Sequence, residues 1–257
     1  MPRRRSSAVE IGIPDEALKL ECPEEGQTGN FLTLANGERV HARAVVLATG
    51  ARYRRLEVPG IDAYEGVSMH FWASPLEARL CSREHVALVG GGNSAGQAAV
   101  FLAGHAAHLT LVARRPLADT MSSYLVERIA AQANIDVIEG AEVSAVEGEG
   151  GAMEAIRWRP KGGGEETRVP VRQLFLFIGA EPNTDWLAGT GVKLDARGFI
   201  RTGEDAAEGR LPLETSRAGV FAVGDVRCGS VKRVAAAAGD GAQVVAAIHG
   251  FLARGEG

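Results

Sequence analysis

LVGGGNSAGQAAVFLAG, residues 88–104, decides how this chain is read. A hydrophobic strand ends, a glycine-rich turn follows, and small residues open a helix. Gly90, Gly92 and Ala95 fit the spacing of the dinucleotide-binding fingerprint in its Gly-to-Ala form. Gly90 lets the chain turn sharply off the strand. Gly92 has no side chain to hold a pyrophosphate away from the backbone, and Ala95 permits close helix–strand packing. The helix start offers unpaired N–H groups to phosphate oxygens. A strand before it and a second strand after it (LTLVARR, 109–115) separate this stretch from a merely glycine-rich structural turn. In a simple nicotinamide dehydrogenase the fingerprint stands near the front of its domain, yet 87 residues precede it here.

The chain has 257 residues, 46% of them hydrophobic, enough for one large or two modest cores. A formal charge of −4 disfavours nucleic acid and anionic membrane as partners, because both demand a basic surface. No apolar run approaches the roughly 20 residues that cross a bilayer, and MPRRRSS at the front reads as neither a signal peptide nor a transit helix. Cys22, Cys81 and Cys228 are far apart and form no C-x-x-C. A disulfide scaffold or a metal site is therefore not expected, and a reducing cytoplasm is the expected location.

The front reads mainly as β. ALKLEC (17–22) alternates, and NFLTL (30–34) leads through Asn36-Gly37, a hairpin signal, into RVHARAVVLATG. AVVLATG has the near-continuous apolar character of a strand buried on both faces, and EVPGIDAYEG reads as a linker. After the fingerprint, SSYLVERIAAQ (122–132) predicts a helix capped by Ser122 or Ser123. Further strands are expected at IDVIEGAEVSAVEG, MEAIRWRP and the buried run from Val169 to Gly179. AGVFAVGD (218–225) predicts another apolar strand, followed by an alanine-rich helix broken near Gly239-Asp240-Gly241.

Two side-chain patterns point to ligands. An NAD site places Asp or Glu at the end of the second strand, roughly 20 residues past the fingerprint. Arg114 and Arg115 stand there instead, and no acid follows until Asp119. Two guanidinium groups suit a 2′-phosphate by charge and bidentate geometry, so NADP(H) is expected; the alternative is a solvent-facing pair. Asp225, directly after a glycine at a strand's carboxyl end, stands where ligands sit in open α/β sheets and can accept hydrogen bonds from sugar hydroxyls.

VVLATGARYRRLEVPG, LVGGGNSAGQAAVFLA, LVARRP, LFLFIGAEPNTDWL and GVFAVGDVRCGSVKRVAAAAGDGAQVV, in this order, resemble the two-dinucleotide flavoprotein reductases of the thioredoxin-reductase type, class II of the pyridine nucleotide-disulfide oxidoreductases. The resemblance runs from about residue 30 to near the end. It implies an α/β, Rossmann-like fold with an NADPH domain inserted into an FAD domain, which explains what the front is for. The boundaries it implies are 1–62 and 181–257 for the FAD domain and 63–180 for the NADPH domain. By position, Thr49 and Gly50 would lie beside FAD, Gly224 and Asp225 would hold its ribityl and phosphate region, and Lys232, Arg233 and Val234 would approach the flavin ring. Gly90, Gly91, Gly92, Asn93, Ser94, Ala95, Arg114, Arg115, Ile178 and Gly179 would bind NADPH.

The sequence departs from that pattern twice. The family's C-x-x-C after a GVS-like triplet is absent: His70 and Ala73 stand where the cysteines would, and Cys81 comes some ten residues late. A dithiol needs two sulfurs within reach to pass electrons by exchange, so reduction of thioredoxin by that route is not expected; PLEARLC and GGGNSAGQAAVFLA more closely resemble the subgroup without C-x-x-C, some of whose members carry a regulatory domain. The family's first glycine fingerprint is also missing from residues 1–40, which leaves only the later strands of the FAD domain; a truncated gene product or fragment is the expected explanation, and the alternative is that the missing part comes from elsewhere. The function expected is an NADPH-dependent FAD oxidoreductase passing electrons to a small-molecule or protein acceptor. The alternative is a non-catalytic NADP(H)-binding or regulatory module. No acid–base residue is required for hydride transfer, and no catalytic side chain is assigned. His70 reads as a surface or core histidine, Phe71 and Trp72 as packing residues, and the family's dimeric habit leaves a homodimer open.

Overall fold

The run HVALV forms a strand at His85–Val89 whose Val86, Ala87 and Leu88 are fully buried. In the computed structural model, which describes residues 4–6, 9–22 and 29–254, this strand is the centre of a five-stranded parallel sheet. Its order is Ile135–Glu139, His108–Ala113, His85–Val89, Gln173–Leu176, Met69–His70. Parallel strands need both faces covered. One face carries the helices Asn93–Ala103 and Ser123–Ala130, which bury Ala95, Ala99 and Leu102 and Leu125 and Ile129 respectively. The other face packs on Val143, Met153 and Ile156 of an antiparallel sheet formed by Ala141–Glu149, Ala152–Pro160 and Thr167–Pro170.

The chain divides into two compact units, Tyr53–Ala180 and the combination of Met1–Arg52 with Glu181–Gly257. EVPGIDAYEG, read as a linker, is built into the Tyr53–Ala180 unit. Leu56, Val58, Ile61 and Tyr64 enter its core, and the Tyr64 hydroxyl donates to the Gly148 carbonyl at 2.9 Å. The other unit contains an antiparallel sheet of Ala17–Glu21, Asn30–Leu34 and Arg39–Ala42, with Gly37 at φ +85° in its tight turn, as Asn-Gly predicts. It also contains a parallel pair, Val45–Leu47 with Val220–Ala222. Of the MPRRRSS stretch, residues 1–3 and Ser7 lie outside the described residues.

Three expectations about elements are corrected, and a fourth, Ser122 as the N-cap of the helix Ser123–Ala130, holds in position but without a side-chain cap bond. The run Val169–Gly179 is two strands in two sheets, because the chain leaves the antiparallel ladder at Pro170 and enters the parallel one at Gln173. The strand at Val45–Leu47 is buried on one side only: Val45 and Leu47 are in the core and Val46 is 40% exposed. Ser122 holds the N-cap position of its helix, but its hydroxyl donates to Asn93 Oδ1 and makes no cap bond.

The alanine-rich helix, finally, runs unbroken from Val234 to Arg254. Gly239 and Gly241 each disfavour helix by about 1 kcal/mol relative to Ala, but Asp240 between them is anchored from outside. Its carboxylate accepts from the Gly224 N–H at 3.0 Å and from Arg227 at 3.2 and 3.3 Å. Val244 and Ala247, one and two turns on, are buried against Phe221 and Val223. Tertiary contacts outweigh local propensity here.

Candidate functional site

The sequence-predicted residues gather at the carboxyl ends of strands, in two places treated separately. In the Tyr53–Ala180 unit the central strand His85–Val89 has its sequence successor on one side and Gln173–Leu176 on the other. Ligands of open α/β sheets bind at such a switch point. Gly90 leaves the strand at φ +155°, and a Cβ there would stand 2.5 Å from the Phe177 carbonyl and 2.9 Å from the Ala95 Cβ. Glycine is therefore required by backbone packing at this position. At Gly92 a Cβ would meet nothing within 4 Å. The space it would fill lies open in front of the helix start, where the first N–H groups have no intrahelical acceptor. That asymmetry fits a phosphate cradle: the first glycine serves the fold and the second leaves room for a ligand.

Gly91 continues the turn and Asn93, Ser94 and Ala95 open the helix, with Asn93 and Ser94 exposed and Ala95 buried. Arg114 and Arg115 follow the end of the neighbouring strand, are exposed, and make no ion pair or hydrogen bond among the described residues. Ile178 is half-buried, and Gly179, at φ +99°, gives its carbonyl to the Arg54 N–H at 3.0 Å. A cationic pair beside an open glycine turn is what a dinucleotide 2′-phosphate and pyrophosphate need.

In the other unit, Ala48, Gly50, Ala51, Val223, Gly224, Asp225 and Ala237 line a cavity of about 310 Å³, at the lower end of ligand-pocket sizes. Gly50 (φ +67°) and Gly224 (φ +70°) form its turns. Thr49 is held by Asn183: its hydroxyl donates to the Asn183 carbonyl at 3.0 Å and its carbonyl accepts from Asn183 Nδ2 at 2.8 Å. Asp225 Oδ1 is buried and has no hydrogen-bond partner among the described residues. A buried acceptor without a donor costs roughly 1–3 kcal/mol. Asp225 lines the cavity, and an acceptor in need of a donor on a lining residue fits a ligand that brings hydroxyl groups. Lys232 donates to the Asp225 carbonyl at 2.9 Å and to Ser230 Oγ at 2.6 Å, and lies 4.3 Å over the Phe199 ring. Burial lowers its pKa. Its ammonium is thus committed to the turn. Arg233 and Val234 are exposed.

Residues 5–241 match the family model described as pyridine nucleotide-disulphide oxidoreductase. The chain belongs to this family. The F component of alkyl hydroperoxide reductase of Pseudomonas putida is 36% identical over 223 residues, which is 86% of this chain and 41% of that protein. Thioredoxin reductase of Streptomyces coelicolor is 31% identical over 98% of this chain and 76% of its own length. The crystal structure of T. acidophilum thioredoxin reductase superposes with a TM-score of 0.67 at 27% identity, covering 92% of this chain and 73% of that one. The fold is accordingly the α/β thioredoxin-reductase fold, and the chain spans about two-fifths of the length of the first of these relatives.

For a pyridine nucleotide-disulphide oxidoreductase the cysteines are unusual. All three are free thiols. His70 is buried, its Nε2 2.7 Å from Gln173 Oε1 and its ring 5.1 Å from that of Phe175, so it is a satisfied core histidine. Phe71 is likewise buried, whereas Trp72 is 53% exposed with its indole N–H donating to Glu77 Oε1 at 3.0 Å. Cys81 is fully buried and donates to the Glu77 carbonyl; burial, with Glu77 nearby, pushes its thiol up to about 12. The thiolate is the nucleophile, so Cys81 is inert at neutral pH. Iodoacetamide labelling at pH 8, read by peptide mass spectrometry, is expected to modify Cys81 only after unfolding. Among the described residues no helix is long and apolar enough to cross a membrane.

Residues that sequence reasoning passed over complete both places. Asp240 and Arg227 brace the Gly224–Asp225 turn. Thr120 donates to the Gly91 carbonyl at 2.7 Å, and Ser122 bonds Asn93. Asp240 had a legible signal, a lone acid in an alanine-rich helix. The Thr120 and Ser122 contacts had none, since they join positions 29 residues apart.

Proposed function

We propose that this chain is the NADPH-dependent flavin reductase portion of a thioredoxin-reductase-like protein, with NADP(H) on the Tyr53–Ala180 unit and FAD on the cavity of the other. The observation that carries the reading is Asp225, which lines a cavity walled by two left-handed glycines and keeps a buried carboxylate oxygen without a partner among the described residues. FAD held there would supply the hydride-accepting and electron-donating chemistry between NADPH and an acceptor. Gly90 to Ala95, with Asn93 acting through its backbone, would hold the pyrophosphate, Arg114 and Arg115 the 2′-phosphate, and Ile178 and Gly179 the nicotinamide side. Thr49, Gly50, Gly224 and Asp225 would hold FAD, with Lys232 keeping the turn in place and Arg233 and Val234 toward the flavin ring. The protein's part is positioning and exclusion of water; no side chain is needed as acid or base. With no C-x-x-C, the electrons reach an acceptor, small molecule or protein, by a route other than the dithiol of a thioredoxin reductase.

Asp225→Ala separates binding from folding. Removing an acceptor that has no donor is expected to leave the melting temperature unchanged or slightly raised, while FAD affinity falls at least about tenfold. Equal loss of stability and affinity would contradict the assignment.

The open glycine turn with its exposed arginine pair, considered without the other unit, also supports a second reading: an NADP(H)-binding module without turnover. The two separate in one assay, oxidation of NADPH by the FAD-supplemented protein with a redox dye. FAD-dependent turnover faster with NADPH than with NADH supports the reductase. NADPH binding without turnover leaves the module.

A further inference from the structure

The loop Arg114–Ser122 enters the reading above only through its two arginines, yet it is tied down at three points. Leu117 N–H donates to Glu139 Oε1 at 2.6 Å, and the Thr120 hydroxyl to the Gly91 carbonyl at 2.7 Å. Ser122 donates to Asn93 Oδ1 twice, from its N–H at 2.7 Å and its hydroxyl at 3.0 Å. Beneath the loop, Leu117 and Met121 are buried in the core, and a Cβ on Gly96 would stand 2.7 Å from the Met121 sulfur. Exposed connections are usually the mobile parts of a fold. This one is closed onto the glycine turn, while the two cations at its start carry no partner among the described residues.

Two of the three tethers end on the fingerprint itself, one on the Gly91 carbonyl and one on the side chain of Asn93, the first helical residue. Asn93 Oδ1 is used by Ser122, so that oxygen serves the loop and not a ligand. We propose that Thr120, Ser122 and Asn93 form a lock that sets the arginine-bearing loop against the glycine turn and thereby determines selectivity for a dinucleotide with a 2′-phosphate over one without it. The inference rests on the glycine turn being an NADP(H) site. Its physical basis is pre-organisation: a loop ordered before binding loses no conformational entropy when a ligand arrives. Only a ligand that engages Arg114 and Arg115 draws on that advantage. NADH, which lacks the 2′-phosphate, does not. The three are positioning residues, acting through the arginines.

The test titrates the full chain with NADPH and with NADH, following the fluorescence of the reduced nicotinamide. Ser122→Ala combined with Thr120→Val is expected to lower the NADPH-to-NADH affinity ratio about tenfold through weaker NADPH binding, with NADH affinity within about twofold of wild type. Thr120→Ser keeps the hydroxyl and is expected to keep the ratio. Ser122→Ala removes one of the two bonds to Asn93, shifts the ratio the same way by a smaller factor, and serves if the double variant does not fold. Equal loss for both dinucleotides, or an unchanged ratio in a folded lock variant, overturns the lock and leaves the NADP(H) site standing. A wild-type chain that binds neither dinucleotide, or both alike, overturns the site and the lock with it.

Discussion

Gly90→Ala is expected to destabilise the Tyr53–Ala180 unit by about 3 kcal/mol, combining a left-handed backbone with overpacking against a carbonyl. The added Cβ would lie 2.5 Å from the Phe177 carbonyl oxygen and 2.9 Å from Ala95 Cβ, and neither is the free end of a flexible side chain. Relief requires the central strand to part from Gln173–Leu176 or the helix to lift from the sheet. Either movement opens a core in which Leu88, Leu102 and Phe175 are fully buried. Gly92→Ala is the matched control, since its Cβ meets nothing within 4 Å and its φ is −95°. It should melt with the wild type and lose dinucleotide affinity, because the methyl enters the space proposed for the pyrophosphate. Thermal melts with NADPH titrations of both variants check the pair. Similar stability losses at the two glycines would contradict the division of labour between them.

Asp240→Ala is expected to cost about 2 kcal/mol, between the values for exposed and buried pairs. The aspartate side chain is 15% exposed and that of Arg227 22%. Its removal leaves the guanidinium without its counter-ion and the Gly224 N–H without an acceptor. Asp240→Asn keeps an acceptor for Gly224 and should lose less. Because the same N–H fixes the turn that carries Asp225, FAD affinity should fall in the order wild type, Asn, Ala, measured beside chemical denaturation. An Asp240→Ala protein with wild-type stability would show that the helix is held by Val244 and Ala247 alone.

Where several local signals agreed, the fold was legible in the sequence. The strand, turn and helix around residues 85–103 combine apolar continuity, glycine spacing and small helix residues. The Asn36-Gly37 hairpin combines turn chemistry with flanking alternation. Where a tertiary contact decided the outcome, local reading failed. Gly239-Asp240-Gly241 carries breaker composition, and only the Asp240 contacts with Gly224 and Arg227 explain why it stays helical. In Val169–Gly179 the switch between sheets falls at Pro170 to Gln173, where a proline and two polar residues make a break too short to stand out between the apolar residues on either side. The candidate sites divide in the same way. Glycines and the Arg114–Arg115 pair announce their role by residue type and spacing. Thr120, Ser122 and Asp240 are ordinary polar residues whose partners lie 13 to 29 positions away, visible only in three dimensions.

On the proposed function, one chain holds both a reducible flavin and its NADPH donor. This pairing is tested most directly by the visible absorbance spectrum of the purified 257-residue protein, recorded with FAD, after removal of free cofactor, and then with NADPH under anaerobic conditions. The account predicts retained flavin bands that bleach on adding NADPH, faster than with NADH. A protein that retains no flavin colour, or whose bands persist in NADPH, would contradict it.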